Sequence, residues 1–174
     1  IQERHGINTV IQNFTAVILV NGFENLLKEG KRIGLRIAPV SIVHDSVTDY
    51  FDIRFLWDIQ EFYYKNFTEY LWNLVKVKYL FTIMIGTSYY DVCKLSMEKD
   101  AVILKGKTDA INKILDRLDS NNIKYSLEVL DGEVENGRLK EEYRHPIDEF
   151  ILYEAREPIY HKCILDGKIK LTKL

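Results

Sequence analysis

At 174 residues and 20.5 kDa the chain holds one ordinary domain, or one domain with a small appendage, since domains commonly run to about 100–150 residues. Hydrophobic residues make up 47% and charged residues 29%, with only nine glycines and three prolines, which excludes disorder, collagen-like repeats and low-complexity tracts. A net charge of −2 and a pI near 6.1 give composition no reason to favour nucleic acid, so such a partner must be argued from named residues.

From Glu3 to Lys28 the apolar residues Ile7, Val10, Ile11, Phe14, Val17 and Ile18 recur at three- and four-residue steps without a proline. This spacing predicts a long helix, with Gly30 as its stop. Arg36–Val43 and Val47–Ile53 are short and β-branched, and predict two strands joined by a tight connection at His44-Asp45. Phe55, Ile59, Phe62, Tyr63, Phe67, Tyr70, Leu71 and Leu74 then predict a second long helix, whose aromatic stripe reads as core packing. A strand over Lys76–Ile85 and a loop over Gly86–Asp91 follow, and a first unit is expected to close near residue 97.

Residues 98–174 read as a small α/β piece. A strand at Ala101–Leu104, a helix at Thr108–Leu118 and a strand at Ile123–Leu130 form a minimal βαβ unit. Asp131-Gly132 and Asn136-Gly137 predict turns, and Asp166-Gly167 predicts a type I′ hairpin within Ile164–Ile169. The fold class expected is α+β. Charges are balanced in both parts, so neither is a basic tail.

The longest early apolar run, Ala16–Val20, falls far short of the roughly 20 residues a bilayer crossing needs. No membrane partner and a cytoplasmic location, the host's cytoplasm for a viral protein, are expected. Cys93 and Cys163 alone make neither a disulfide framework nor a zinc set. The chain begins at Ile1 rather than Met, and the expectation is a processed, truncated or split product.

The most unusual local feature is Val43-His44-Asp45-Ser46, a His-Asp pair between two apolar strands. A carboxylate at a hairpin tip can hold a divalent cation through oxygen, as Mg²⁺ prefers, but phosphoryl transfer with two ions needs at least one more. On the preceding helix Arg4, Asn8 and Gln12 sit four residues apart, so three donors share one face. Donors so arranged match the minor groove of a duplex, whose purine N3 and pyrimidine O2 acceptors are the same whichever base pair is present.

Arg4, Asn8 and Gln12, followed 32 positions later by His44-Asp45, resemble the C-terminal palm region of family A DNA polymerases, the DNA polymerase I family, in a phage-like form. The likeness spans roughly residues 1–91 and includes, more weakly, the ending Gly86-Thr87-Ser88-Tyr89-Tyr90-Asp91. It implies a palm segment over residues 1–97 (long helix, β-hairpin, helix, strand) with an appended α/β unit over 98–174. It also implies a DNA-directed DNA polymerase, a nucleotidyltransferase of DNA replication using Mg²⁺. Asp45 would be one of the two catalytic, metal-holding carboxylates, and His44 would lie near the primer 3′ end. Arg4, Asn8 and Gln12 would bind DNA from the minor-groove side. Primer–template DNA, deoxynucleoside triphosphates and the rest of the polymerase are the implied partners.

The sequence departs from that family in three places. Ser46 stands where bacterial members often carry Glu, Tyr90 where Trp is common, and residues 98–174 have no recognised counterpart. The family's first catalytic Asp, its nucleotide-binding helix and its thumb lie outside this chain, so the chain alone is expected to be inactive. It would be the C-terminal piece, or one subunit, of a longer polymerase. Two alternatives stand beside this reading. One is a non-catalytic interaction or DNA-binding module docking through the aromatic helix. The other is a His-Asp metal-dependent phosphohydrolase, which fits poorly because its ligands need helices and His5, His145 and His161 lack ligand spacing. Lys105, Lys107, Lys168, Lys170 and Lys173, interspersed with glutamates, read as solvated surface, and Tyr125, Tyr143, Tyr153 and Tyr160 as sheet packing.

Overall fold

A computed structural model describes residues 2–43, 46–76, 78–146 and 160–174, with the backbone alone for 2–13, 142–146 and 160–164. It is a mixed α+β protein of two compact units, residues 1–81 and 82–174. The division falls before the expected closure near residue 97, because the strands on either side of the Gly86–Asp91 loop pair into the sheet of the second unit.

Unit 1 opens with helix α1 (Gln2–Ile33). It runs past Gly30, the expected stop, and ends at Gly34, whose φ of 76° only glycine adopts without strain. There the Leu35 amide donates to the Gly30 carbonyl at 2.9 Å and the Gly34 amide to the Lys31 carbonyl at 3.3 Å, the paired bonds of a Schellman stop. Strands β1 (Ile37–Val43) and β2 (Ser46–Phe51) pair antiparallel with Val43 opposite Ser46, as expected for a hairpin. Pro39, which has no amide to donate, precedes a bulge before Ser41.

The second helix of unit 1 departs from the single regular helix expected. A 3₁₀ turn (Ile53–Phe55) leads to α2 (Ile59–Tyr63), a π-helical segment (Tyr64–Glu69) and α3 (Tyr70–Val75). Side chains occupy carbonyls within this irregular stretch: Asn66 Nδ2 donates to the Phe62 carbonyl at 3.0 Å, and Asn25 Nδ2 from α1 donates to the Asn66 carbonyl at 2.8 Å. Side chains inserted into the ladder are a known cause of such widening. The aromatic stripe still packs as core, since Phe67 and Leu71 close on Ile18, Leu19, Phe23 and Leu26 of α1, with Ile37 and Val47 of the hairpin against the same cluster.

Unit 2 is a five-stranded antiparallel sheet in the order β3-β4-β5-β11-β6. Its strands are β3 (Ile83–Gly86), β4 (Val92–Glu98), β5 (Ala101–Lys107), β6 (Tyr125–Asp131) and β11 (Asp166–Lys173). Among the described residues of the strand expected over Lys76–Ile85, residues 83–85 are paired in a ladder, and β3 takes in Gly86 of the expected loop. Helix α4 (Thr108–Ser120) connects β5 to β6. Those strands run in the same direction, but β11 is inserted between them and pairs antiparallel to both, so the βαβ unit is split. Ile111, Ile114, Leu115 and Leu118 of α4 are buried, as are Leu95, Leu104, Ile169 and Leu171 of the sheet.

Two short hairpins complete unit 2. Strands β7 (Val134–Glu135) and β8 (Arg138–Leu139) turn at Asn136-Gly137, both at positive φ, as the sequence predicts. Strands β9 (Glu142–Pro146) and β10 (Tyr160–Ile164) pair antiparallel. The hairpin expected at Asp166-Gly167 is absent, and both residues lie inside β11. Gly167 serves close packing instead: a Cβ there would stand 2.9 Å from both Leu139 Cδ1 and Thr108 Cγ2. Buried Thr108 and Asn112 are satisfied, Thr108 Oγ1 donating to the Leu165 carbonyl at 3.0 Å and Asn112 Nδ2 to the Leu139 carbonyl at 2.7 Å.

Candidate functional site

The site expected from sequence has two parts, the donors on α1 and the His-Asp pair between β1 and β2. Arg4, Asn8 and Gln12 lie on α1 as expected, and their side chains fall outside the described residues. His44 and Asp45 also lie outside the described residues, while the strands that flank them are paired up to Val43 and Ser46, whose hydroxyl donates to the Val43 carbonyl at 3.0 Å.

Hairpin and helix are joined through the core cluster that holds Ile37, Val47, Leu19, Phe23 and Leu26. Along α1, Asn8 and Leu26 stand about five turns apart at 3.6 residues per turn. Position 8 therefore lies on the same line along the helix as Leu26 of the core cluster.

Two carboxylates of the hairpin were not singled out by sequence. Asp49 of β2 is partly buried and accepts a hydrogen bond from the Tyr63 hydroxyl. Burial raises its pKa above the ordinary 3.8, with the Tyr63 bond offsetting part of the rise. Burial first, then the neighbouring carboxylate, pushes the Tyr63 phenol up as well. A signal was present: Val47, Asp49 and Phe51 alternate on one side of the strand, so an acid stands in a row otherwise apolar. Asp52 is gripped by Arg54, whose Nε donates to both carboxylate oxygens at 2.9 and 3.1 Å, and this bond chiefly holds Asp52 down to about 2.

Among the described residues no three His, Cys, Asp or Glu side chains form a group that could hold a metal ion. Asp49 is committed to Tyr63 and Asp52 to Arg54, so the described part of the hairpin gives Asp45 no second carboxylate for a two-ion site.

The surface around the hairpin is apolar. Val40, Ile42, Val43 and Tyr50 are exposed on its strands, and Phe14, Val17 and Val20 are exposed on α1, on the side away from Leu19 and Leu26. A lone two-stranded hairpin is marginal in water.

No known protein family, curated protein or solved structure matches the chain. No helix among the described residues is long and apolar enough to cross a membrane.

Proposed function

We propose that the chain is the C-terminal palm piece of a DNA-directed DNA polymerase of the family A type, catalytically incomplete by itself. The observation that carries this reading is the hairpin-on-helix arrangement with its apolar faces uncovered. A strand pair flanking His44-Asp45 shares a core with α1, which also bears Arg4, Asn8 and Gln12. The exposed apolar residues Phe14, Val17 and Val20 of α1 and Val40, Ile42 and Val43 of β1 are the surface that the rest of such a palm would cover.

In this reading Asp45 would hold Mg²⁺ together with a carboxylate supplied from outside the chain. The metal, when bound, neutralises charge developing on the transferring phosphate. The chain's own residues do the positioning. Asp45 would stand at the hairpin, His44 would border the primer 3′ end, and Arg4, Asn8 and Gln12 would donate to minor-groove acceptors shared by all base pairs.

The test is to read the coding sequence upstream for an Asp-bearing strand and a Lys/Arg-rich helix, and to assay the longer protein for primer extension with Mg²⁺ and deoxynucleoside triphosphates. Extension by the longer protein and none by the present chain is expected. Extension by the present chain alone would refute the missing carboxylate, and an inactive longer protein lacking those segments would refute the polymerase.

A further inference from the structure

Like charges directly opposite one another on neighbouring strands repel, and sheets avoid them unless something neutralises them. The sheet of unit 2 carries such an arrangement. Lys94 of β4 is opposite Lys105 of β5, and Lys105 is opposite Lys168 of β11. The three form one row across three adjacent strands, about 4.8 Å from strand to strand. They project from the face opposite α4, because Leu95, Leu104 and Ile169, one residue along each strand, are buried on the helix side.

Other lysines of this unit have partners: Lys113 reaches Asp91 at 2.8 Å, Lys140 reaches Glu133 at 3.0 Å and Lys170 reaches Glu98 at 3.5 Å. Among the described residues, Lys94, Lys105 and Lys168 find no ion-pair or side-chain hydrogen-bond partner. The row is narrow. Glu128 stands opposite Lys170, Asp131 opposite Lys168 and Asp166 opposite Lys107, so carboxylates border it.

The β3–β4 connection ends at Asp91, three residues before Lys94. It is closed tightly: Ser88 Oγ donates to Asp91 at 3.1 Å, Lys113 holds the same carboxylate, and a Cβ at Gly86 would stand 1.9 Å from the Asp91 carbonyl oxygen. From this fixed loop Tyr89 and Tyr90 project 75% and 88% exposed, packed only edge to face on each other at 5.7 Å between ring centres. Open aromatic rings on the loop that leads into the strand of Lys94, and a row of lysines bordered by carboxylates, are the two elements, a stacking platform and a backbone-tracking charge, by which single strands are held.

We propose that this sheet face and the β3–β4 tip bind single-stranded nucleic acid, with Lys94, Lys105 and Lys168 on the phosphates and Tyr89 and Tyr90 against the bases. A linear polyanion fits a stripe bordered by carboxylates, whereas a membrane presents a plane of charge that those carboxylates would also face. Stacking on the tyrosines requires bases free of a duplex. The inference rests on unit 2 alone and is independent of the polymerase reading.

The experiment is fluorescence anisotropy of a labelled oligo-dT with the full chain over a series of KCl concentrations. Each phosphate contact on a single strand contributes about 0.7 to the slope of log affinity against log salt. Replacing all three lysines by alanine should therefore lower that slope by about 2, and replacing all three by arginine should preserve it. Tyr89→Ala with Tyr90→Ala should weaken binding at least about tenfold with the slope unchanged. Circular dichroism confirms that each variant is folded. The proposal is overturned if oligo-dT does not bind at low salt, if the alanine triple keeps the wild-type slope, if the tyrosine variant loses nothing, or if phosphatidylserine vesicles bind in place of the oligonucleotide.

Discussion

Asp49 and Tyr63 set the behaviour of unit 1 at the scale of single residues. Burial raises the Asp49 pKa above 3.8, so its contribution to stability is fully present below the unfolded value and is lost as pH rises through the folded one. Asp49→Asn should consequently match the wild type in acid and become the more stable protein at neutral pH, measured by urea unfolding across that range. A wild type that gains on the variant as pH rises would contradict the assignment. Tyr63→Phe removes the donor that an ionised, partly buried Asp49 depends on. We expect a loss of about 1.5–3 kcal/mol at pH 7, shrinking below the folded pKa where the carboxyl is neutral, and an equal loss at both pH values would count against it. The acid is visible in the sequence as a break in an apolar alternation, but its partner is not. Tyr63 lies 14 positions away beyond the 3₁₀ turn that separates the hairpin from α2, and no periodicity rule reports that turn.

At the scale of elements, the long helix and the hairpin were legible because each is written in a local period. The end of α1 was not, because both Gly30 and Gly34 can stop a helix and only the packing of Gly30, where a Cβ would meet Ile37 Cδ1 at 3.3 Å, decides between them. Gly22 makes the same point with a sharper test. Helix propensity alone favours Gly22→Ala by about 1 kcal/mol. A Cβ at that position, however, would stand 2.8 Å from Phe67 Cε2 and 3.0 Å from Leu71 Cδ1, and overpacking of this kind costs about 1–3 kcal/mol. Gly22→Ala should therefore destabilise, read as a lower urea midpoint, and a raised midpoint would show that the α1–aromatic helix contact is looser than described. Asp166-Gly167 misleads for a related reason: its dipeptide is a turn signal, yet the glycine is required by Leu139 and Thr108, which the chain brings in from far away.

At the scale of the whole molecule, the two units each contain their own core, and in unit 2 it comprises α4 residues Ile111, Ile114, Leu115 and Leu118 against Leu95, Val102, Leu104, Ile169 and Leu171. Residues 82–174 should fold alone. Cys93 supplies the readout, since burial pushes its thiol up to about 12; in a Cys163→Ser background it should resist a thiol reagent in the native fragment and react in urea. Immediate reaction without denaturant would contradict an independent unit 2. The order of elements could be read from sequence, but the insertion of β11 between β5 and β6 could not, because that pairing joins segments distant along the chain. The residues proposed to be functional were legible only as a spacing pattern, and their proposed roles are best separated in the longer polymerase which that proposal implies. The deciding measurement there is single-turnover nucleotide incorporation on matched and mismatched primers. Asp45→Ala should abolish turnover with duplex binding nearly intact. Gln12→Ala should slow incorporation by an amount worth about 0.5–1.5 kcal/mol, with a larger penalty on the mismatched primer. Near-wild-type rates for Asp45→Ala, or no effect of Gln12→Ala on either primer, would contradict the polymerase assignment.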